Sequence, residues 1–129
     1  MSEPLWLTRP AVDLLHHDLV VEHGGRPGTR DENLLESTLA RPRNRWQYEG
    51  TRDLAELAAV YGHGIARAHP YVDGNKRIAF LAMAVFLDAN GSPLEAPDDE
   101  VVTIMRGIAA GSVDEQALAE WLRGHLVPA

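Results

Sequence analysis

The segment that most constrains the fold is the run that begins after Arg77. Ile78, Leu81, Ala82, Val85, Phe86 and Ala89 recur at helical spacing on one face, while Ala79, Phe80, Met83, Ala84 and Leu87 cover much of the other. A helix that is apolar all round has to be enclosed, either by other elements or by lipid. This run is shorter than the roughly 20 apolar residues of a membrane span, so it predicts a buried core helix. Asn90-Gly91 supplies its C-terminal stop, and Ser92-Pro93 bars any helical continuation. With 129 residues, 45% of them hydrophobic and 24% charged, the chain has apolar material for one core around that helix, and a single domain over residues 1–129 is expected.

The other periodicities are helical as well. Thr8-Arg9-Pro10 predicts an N-cap with Pro in the first turn, then Val12, Leu15 and Leu19, with Gly24-Gly25 ending the run. Thr29-Arg30-Asp31-Glu32 spells a capping box before Leu34, Leu35, Thr38 and Leu39, and Arg41-Pro42 is expected to stop that helix. Asp53 opens a face of Leu54, Leu57, Ala58, Tyr61 and Ile65, in which Gly62 and Gly64 imply close packing against a neighbour. Asp98 or Asp99 caps a helix with Val101, Ile104, Met105 and Ile108 that Gly111 ends, and the box Ser112 to Glu115 leads into Leu118, Trp121, Leu122 and Leu126. Met1 to Trp6 reads as an arm or a short edge strand. Arg43 to Gly50 has no helical face. It reads equally as a surface loop with its aromatics tucked on the core, or as a contact segment in which Arg45, Trp46, Gln47 and Tyr48 meet a partner. The fold class is all-α, a compact bundle of about six helices around a central buried one, with a short β-hairpin allowed only at residues 43–50.

Directly before the core helix stands His69-Pro70-Tyr71-Val72-Asp73-Gly74-Asn75-Lys76-Arg77. Pro70 disfavours helical geometry at His69, and Gly74 permits the turn that opens the next helix. The free N–H groups of Gly74, Asn75 and Lys76 then lie at the positive end of that helix, where an anion is stabilised. Lys76 and Arg77 are cations at an end that ordinarily prefers acids, which a bound polyphosphate explains. Asp73 is placed to hold a hard divalent cation such as Mg²⁺. A neutral imidazole at His69 can take a proton from a hydroxyl nucleophile. Together these suit phosphoryl or nucleotidyl transfer on a rigid mount.

The nine residues resemble the signature of the Fic/Doc family, H-[PX]-[FY]-X-[DEN]-[GA]-N-[GK]-R, at every specified position. The Gly24-Gly25…Gly28-Thr29-Arg30-Asp31…Leu34-Leu35-Glu36…Leu39…Pro42 pattern resembles the N-terminal region of the Doc-like, or death-on-curing, branch. AMP-transferring members usually carry Gly where this chain has Lys76 and a second Arg where it has Phe80, so both departures point to the Doc branch. The resemblance implies a toxin of a toxin–antitoxin pair that moves the γ-phosphate of ATP to a protein hydroxyl, a threonine of elongation factor Tu, and blocks translation. In that scheme His69 is the base and Asp73 the Mg²⁺ ligand. Arg67, Gly74, Asn75, Lys76 and Arg77 hold phosphates, and Arg45 to Tyr48 form a flap that aligns the target by strand addition. Adenylyl transfer and a catalytically silent partner-binding module are the alternatives. The inhibitory pattern [ST]-x-x-x-E-[GN] of many relatives finds no match, since Arg45 stands four residues before Glu49-Gly50. Inhibition is therefore expected from a separate antitoxin that folds on binding.

Composition removes other classes. A net charge of −7 argues against direct nucleic-acid binding, which needs a basic surface. Without cysteine there is neither a disulfide framework nor a thiol nucleophile. No signal pattern opens the chain and no apolar run approaches membrane length, so a cytoplasmic protein is expected. His16, His17 and His23 lack metal-ligand spacing and read as solvated surface groups, and His63 as structural.

Overall fold

The computed structural model describes residues 2–127. Its six helices are α1 (Arg9–His23), α2 (Glu32–Tyr48), α3 (Leu54–Ala68), α4 (Asn75–Ala89), α5 (Asp98–Ala110) and α6 (Glu115–Arg123). Among the described residues the only extended pairings are two isolated antiparallel bridges, Thr29 with Tyr71 and Leu94 with Leu126.

One apolar cluster draws on every helix: Val12 from α1, Leu35 from α2, Leu57 and Ile65 from α3, Phe86 and Leu87 from α4, Ile108 from α5, and Leu118 and Leu122 from α6. The hub is α3 rather than α4, the helix expected at the centre. Ten residues of α3 are buried against seven of α4, because Ala55, Ala58, Ala59, Gly62, Gly64 and Ala66 let neighbours close in from several sides. A Cβ at Gly62 would overlap the Met83 thioether, and one at Gly64 would lie 3.1 Å from Thr38 Cγ2. Each large side chain so enclosed contributes roughly 1.5–3 kcal/mol of transfer free energy.

Helix ends follow the local chemistry, with three corrections. Thr8, Asp53 and Gly24 cap where expected. In both capping boxes, however, the Asp serves as N-cap in place of the Thr or Ser two residues earlier: Asp31 Oδ1 accepts from Leu34 N–H at 3.0 Å, and Asp114 Oδ1 from Ala117 N–H at 2.8 Å. Neither Asp98 nor Asp99 is the α5 cap, a place taken by Pro97, and both lie in the first turn. Pro42 does not stop α2, which runs on to Tyr48 with Pro42 buried inside it. The gain from burying Pro42 and seating Trp46 edge-on against Trp6, centroids 6.4 Å apart, outweighs the lost main-chain bond. Residues 43–48 are accordingly helical and no hairpin forms there. Residues 2–8 form an arm, not an edge strand. Leu5 exchanges hydrogen bonds with the Asn90 side chain, Leu7 N–H donates to Tyr61 Oη at 3.1 Å, and Trp6 stacks on Phe86 at 5.8 Å.

Candidate functional site

The link between α3 and α4 is built by two left-handed residues. Pro70 bars right-handed helical geometry at His69, which caps α3 at φ 52°, ψ 55° and still donates its N–H to Ile65 O at 3.1 Å. Gly74 opens α4 at φ 73°, ψ 17°, where a glycine meets no Cβ penalty. Between them the Asn75 carboxamide bonds both ways with the Tyr71 main chain, 3.0 Å to its N–H and 3.0 Å to its carbonyl. Tyr71 is buried; its hydroxyl donates to Asp13 Oδ1 at 2.8 Å, and burial, reinforced by that carboxylate, pushes the phenol far above its ordinary range.

His16 lies under this loop. It is buried, its ring stacks on Tyr71 with centroids 3.8 Å apart, and its Nε2 lies 2.7 Å from Asp73 O. A carbonyl only accepts, so Nε2 carries the proton. The expectation of a solvated His16 is thus wrong, while His17 and His23 are exposed as expected. The signal was present in the spacing, because His16 comes four residues after Val12 and falls on the inward stripe of α1.

Residues 25–31 clasp the loop from outside. Arg30 N–H and Asp31 N–H both donate to Pro70 O, at 2.8 and 3.2 Å, and Val72 N–H donates to Gly28 O at 3.0 Å. Asp73 Oδ2 accepts from Arg26 N–H at 3.2 Å and Oδ1 from Gly74 N–H at 2.9 Å. These two amide bonds, with smaller help from the charges of Arg26 and Arg77, hold the carboxyl below its usual range. Gly25, at φ 116°, fits beside it because a Cβ there would stand 3.0 Å from Asp73 Oδ2.

The result is a hollow of about 390 Å³ lined by His69, Val72 and the run Asp73 to Arg77. No side chain caps α4, and its first internal bond runs from Ile78 N–H to Gly74 O. The N–H groups of Asn75, Lys76 and Arg77 are therefore the unpaired donors of this helix end, whereas Gly74 N–H, expected to be free, is taken by Asp73 Oδ1. Lys76 and Arg77 are exposed there, and neither forms an ion pair with any described residue. A model of the Fic/DOC family matches residues 6–87 of the chain, the whole of this site included. The chain belongs to the Fic/DOC family. It is also similar to the protein named Toxin Doc of Mycolicibacterium smegmatis, 33% identical over 112 residues that make up 84% of this chain and 86% of that one.

Within this Fic/DOC site the structure brings together His69, Asp73, Gly74, Asn75, Lys76 and Arg77. Asn75 takes part through its main chain, its carboxamide being spent on Tyr71. Arg67 is not at the hollow: its Nη1 donates to Ile108 O at 3.3 Å and Ala109 O at 3.1 Å, closing the C-terminal end of α5. Arg45, Trp46, Gln47 and Tyr48 are not there either. They end α2 beside Arg52 and the start of α3, whereas His69 lies just past the other end of that helix, about 20 Å away at 1.5 Å per residue. Phe80 lines a neighbouring groove together with Lys76 and Arg77. Sequence reasoning missed His16, Arg30 and the clasp of residues 25–31, whose main-chain bonds leave no mark in side-chain pattern.

The donor set around Asp73 leaves room for a divalent cation. Each carboxylate oxygen accepts one amide bond and keeps a further lone pair, and the depressed pKa keeps the group ionised. Among the described residues no group of three or more His, Cys, Asp or Glu side chains could hold a metal. One carboxylate plus oxygens brought by a phosphorylated ligand is the way Mg²⁺ is ordinarily held, so the residues fit that ion. No helix among the described residues is long and apolar enough to cross a membrane.

Proposed function

We propose that this protein is a Doc-like toxin that transfers the γ-phosphate of ATP to a protein hydroxyl, a threonine of elongation factor Tu, and so blocks translation in the cytoplasm. The observation that carries the reading is the uncapped start of α4, where unpaired amides, Lys76 and Arg77 face the same hollow as His69 and Asp73. Donors aimed at a fixed point suit triphosphate oxygens, and positioning with charge neutralisation supplies most of the catalysis in phosphoryl transfer.

In the step itself, the target oxygen forms a bond to the γ-phosphorus as the bridging bond to the β-phosphate breaks and ADP leaves. His69 accepts the hydroxyl proton. Asp73 would hold Mg²⁺, which neutralises charge on the phosphate oxygens when bound. The amides of Asn75 and Lys76 with the Lys76 and Arg77 side chains steady the transferred group. Arg67 contributes indirectly, by fastening α3 to α5 just before His69. Phe80, at the position of the second Arg of AMP-transferring relatives, favours phosphoryl over adenylyl transfer. The exposed Gly24 to Gly28 edge beside Asp73 is the approach we propose for the target, because Arg45 to Tyr48 lie toward the other end of α3 from His69.

Incubation of the protein with elongation factor Tu and ATP labelled at the γ or the α position tests this. Label from γ-ATP alone, lost in His69→Ala, is the expected result. Transfer of α-label would establish adenylylation instead, and equal transfer by both proteins would remove His69 as the base. Without a cognate antitoxin, expression is expected to arrest growth.

A further inference from the structure

Among the described residues His69 is the only non-glycine with positive φ. For an L-residue that conformation costs on the order of 1–3 kcal/mol, so surrounding bonds must hold it. The peptide on its carboxyl side is gripped by one residue outside the signature. Arg30 Nε donates to His69 O at 2.6 Å and its Nη2 to Ala68 O at 2.8 Å, while its main-chain N–H donates to Pro70 O at 2.8 Å. The guanidinium fork thus spans two successive carbonyls at the end of α3, and the main chain of the same residue secures the third. Arg30 does not line the hollow, so it has no direct path to a ligand there.

We infer that Arg30 is a positioning residue for His69: by clamping the carbonyls of Ala68 and His69 it holds the left-handed conformation that aims the imidazole into the hollow. The inference rests on the proposed role of His69 as base, and it goes beyond that role in naming what orients it. A simple helix cap would need only a cation near the last carbonyls. A planar fork on two of them fixes direction as well, which a lysine point charge cannot reproduce.

The test compares Arg30→Ala and Arg30→Lys with the unaltered chain. A positive φ brings the amide and α protons of one residue unusually close, so His69 gives a strong intraresidue cross-peak in NMR whether or not the protein has activity. Arg30→Ala is expected to weaken that cross-peak and to lower kcat about tenfold or more, with KM for Mg·ATP changed less than about threefold, since misplacing a reacting group acts on the chemical step. Arg30→Lys is expected to restore little of either. A cross-peak undiminished in Arg30→Ala, an unchanged kcat, or full rescue by lysine would each overturn the inference. Should the unaltered protein transfer no phosphate, the proposed function fails by itself and the cross-peak still decides whether Arg30 sets His69.

Discussion

Two hollows of similar size lie at opposite ends of α3, about 390 Å³ beside its C-terminus and about 340 Å³ beside its start. Both contain a pair of cations. At the far end Arg45 pairs with Glu115 at 2.5 Å and with Glu49 at 3.1 Å, and Arg123 pairs with Asp53 and, at 3.9 Å, with Glu56. The helix starts on that side are closed too, α3 by the Asp53 carboxylate and α6 by Asp114. At the near end Lys76 and Arg77 have no acidic partner among the described residues, and α4 has neither a capping side chain nor an acid in its first turn. Volume and positive residues are common to both ends. Only one leaves its donors for a visitor, and it carries the family signature.

The largest effect is expected at His69. His69→Ala should reduce phosphate transfer by about 10²–10⁴-fold, the usual weight of a positioned base, measured with γ-labelled ATP. A variant retaining more than a tenth of the rate would take the near hollow out of catalysis. Next, Lys76→Ala and Arg77→Ala should each weaken Mg·ATP binding about tenfold, with the loss shrinking in high salt, as calorimetry at two ionic strengths would report. Arg123→Ala, in the paired hollow, should leave binding untouched and cost under about 1 kcal/mol of stability.

A sharper contrast comes from uncoupling the far end. Glu115→Gln strips Arg41 and Arg45 of a shared partner, at 3.5 and 2.5 Å, without creating an open helix start. Inorganic triphosphate is expected to remain unbound there; binding comparable to the near site would mean that bare cations suffice and the amides do not matter. The smallest effect concerns acid. Because its folded pKa is depressed, Asp73 adds stability that is present above its unfolded value of about 3.9 and disappears as pH falls through the lower folded value. Asp73→Asn should therefore flatten the low-pH decline of Tm slightly, and identical declines would show that the carboxylate bonds contribute nothing to stability.

Much of this was legible beforehand because it is local. The N-caps of α1 and α3, the glycine stops at Gly24 and Gly111, and the loop from His69 to Arg77 depend on residues close in sequence. What failed depended on size or distance. Apolar residues on both faces pointed to α4 as the hub, yet the small side chains of α3 allow the close approach that put that helix there. Pro42 normally ends a helix, but nothing nearby announces that Trp46, packed against Trp6, will carry α2 past it. Asp31 and Asp114 displaced the hydroxyls as caps while Thr29 turned to the extended bridge with Tyr71. At the candidate site the signature residues could be read, and the α1 spacing marks His16 as inward-facing, but the bonds that Arg30 and His16 make to the loop span 39 and 57 positions, which no periodicity covers.

The face-to-face pair of His16 and Tyr71, 3.8 Å apart and 10° from parallel, has a practical consequence. Each ring shields the protons of its partner, so the imidazole C–H resonances of His16 should lie upfield of those from the other five histidines. Because Asp73 hangs from the same imidazole, a guest that shifts the turn by a fraction of an ångström would slide one ring across the other and move that line. The chain thus contains its own unlabelled beacon for occupancy, one that can be followed during titration even in a variant that performs no chemistry.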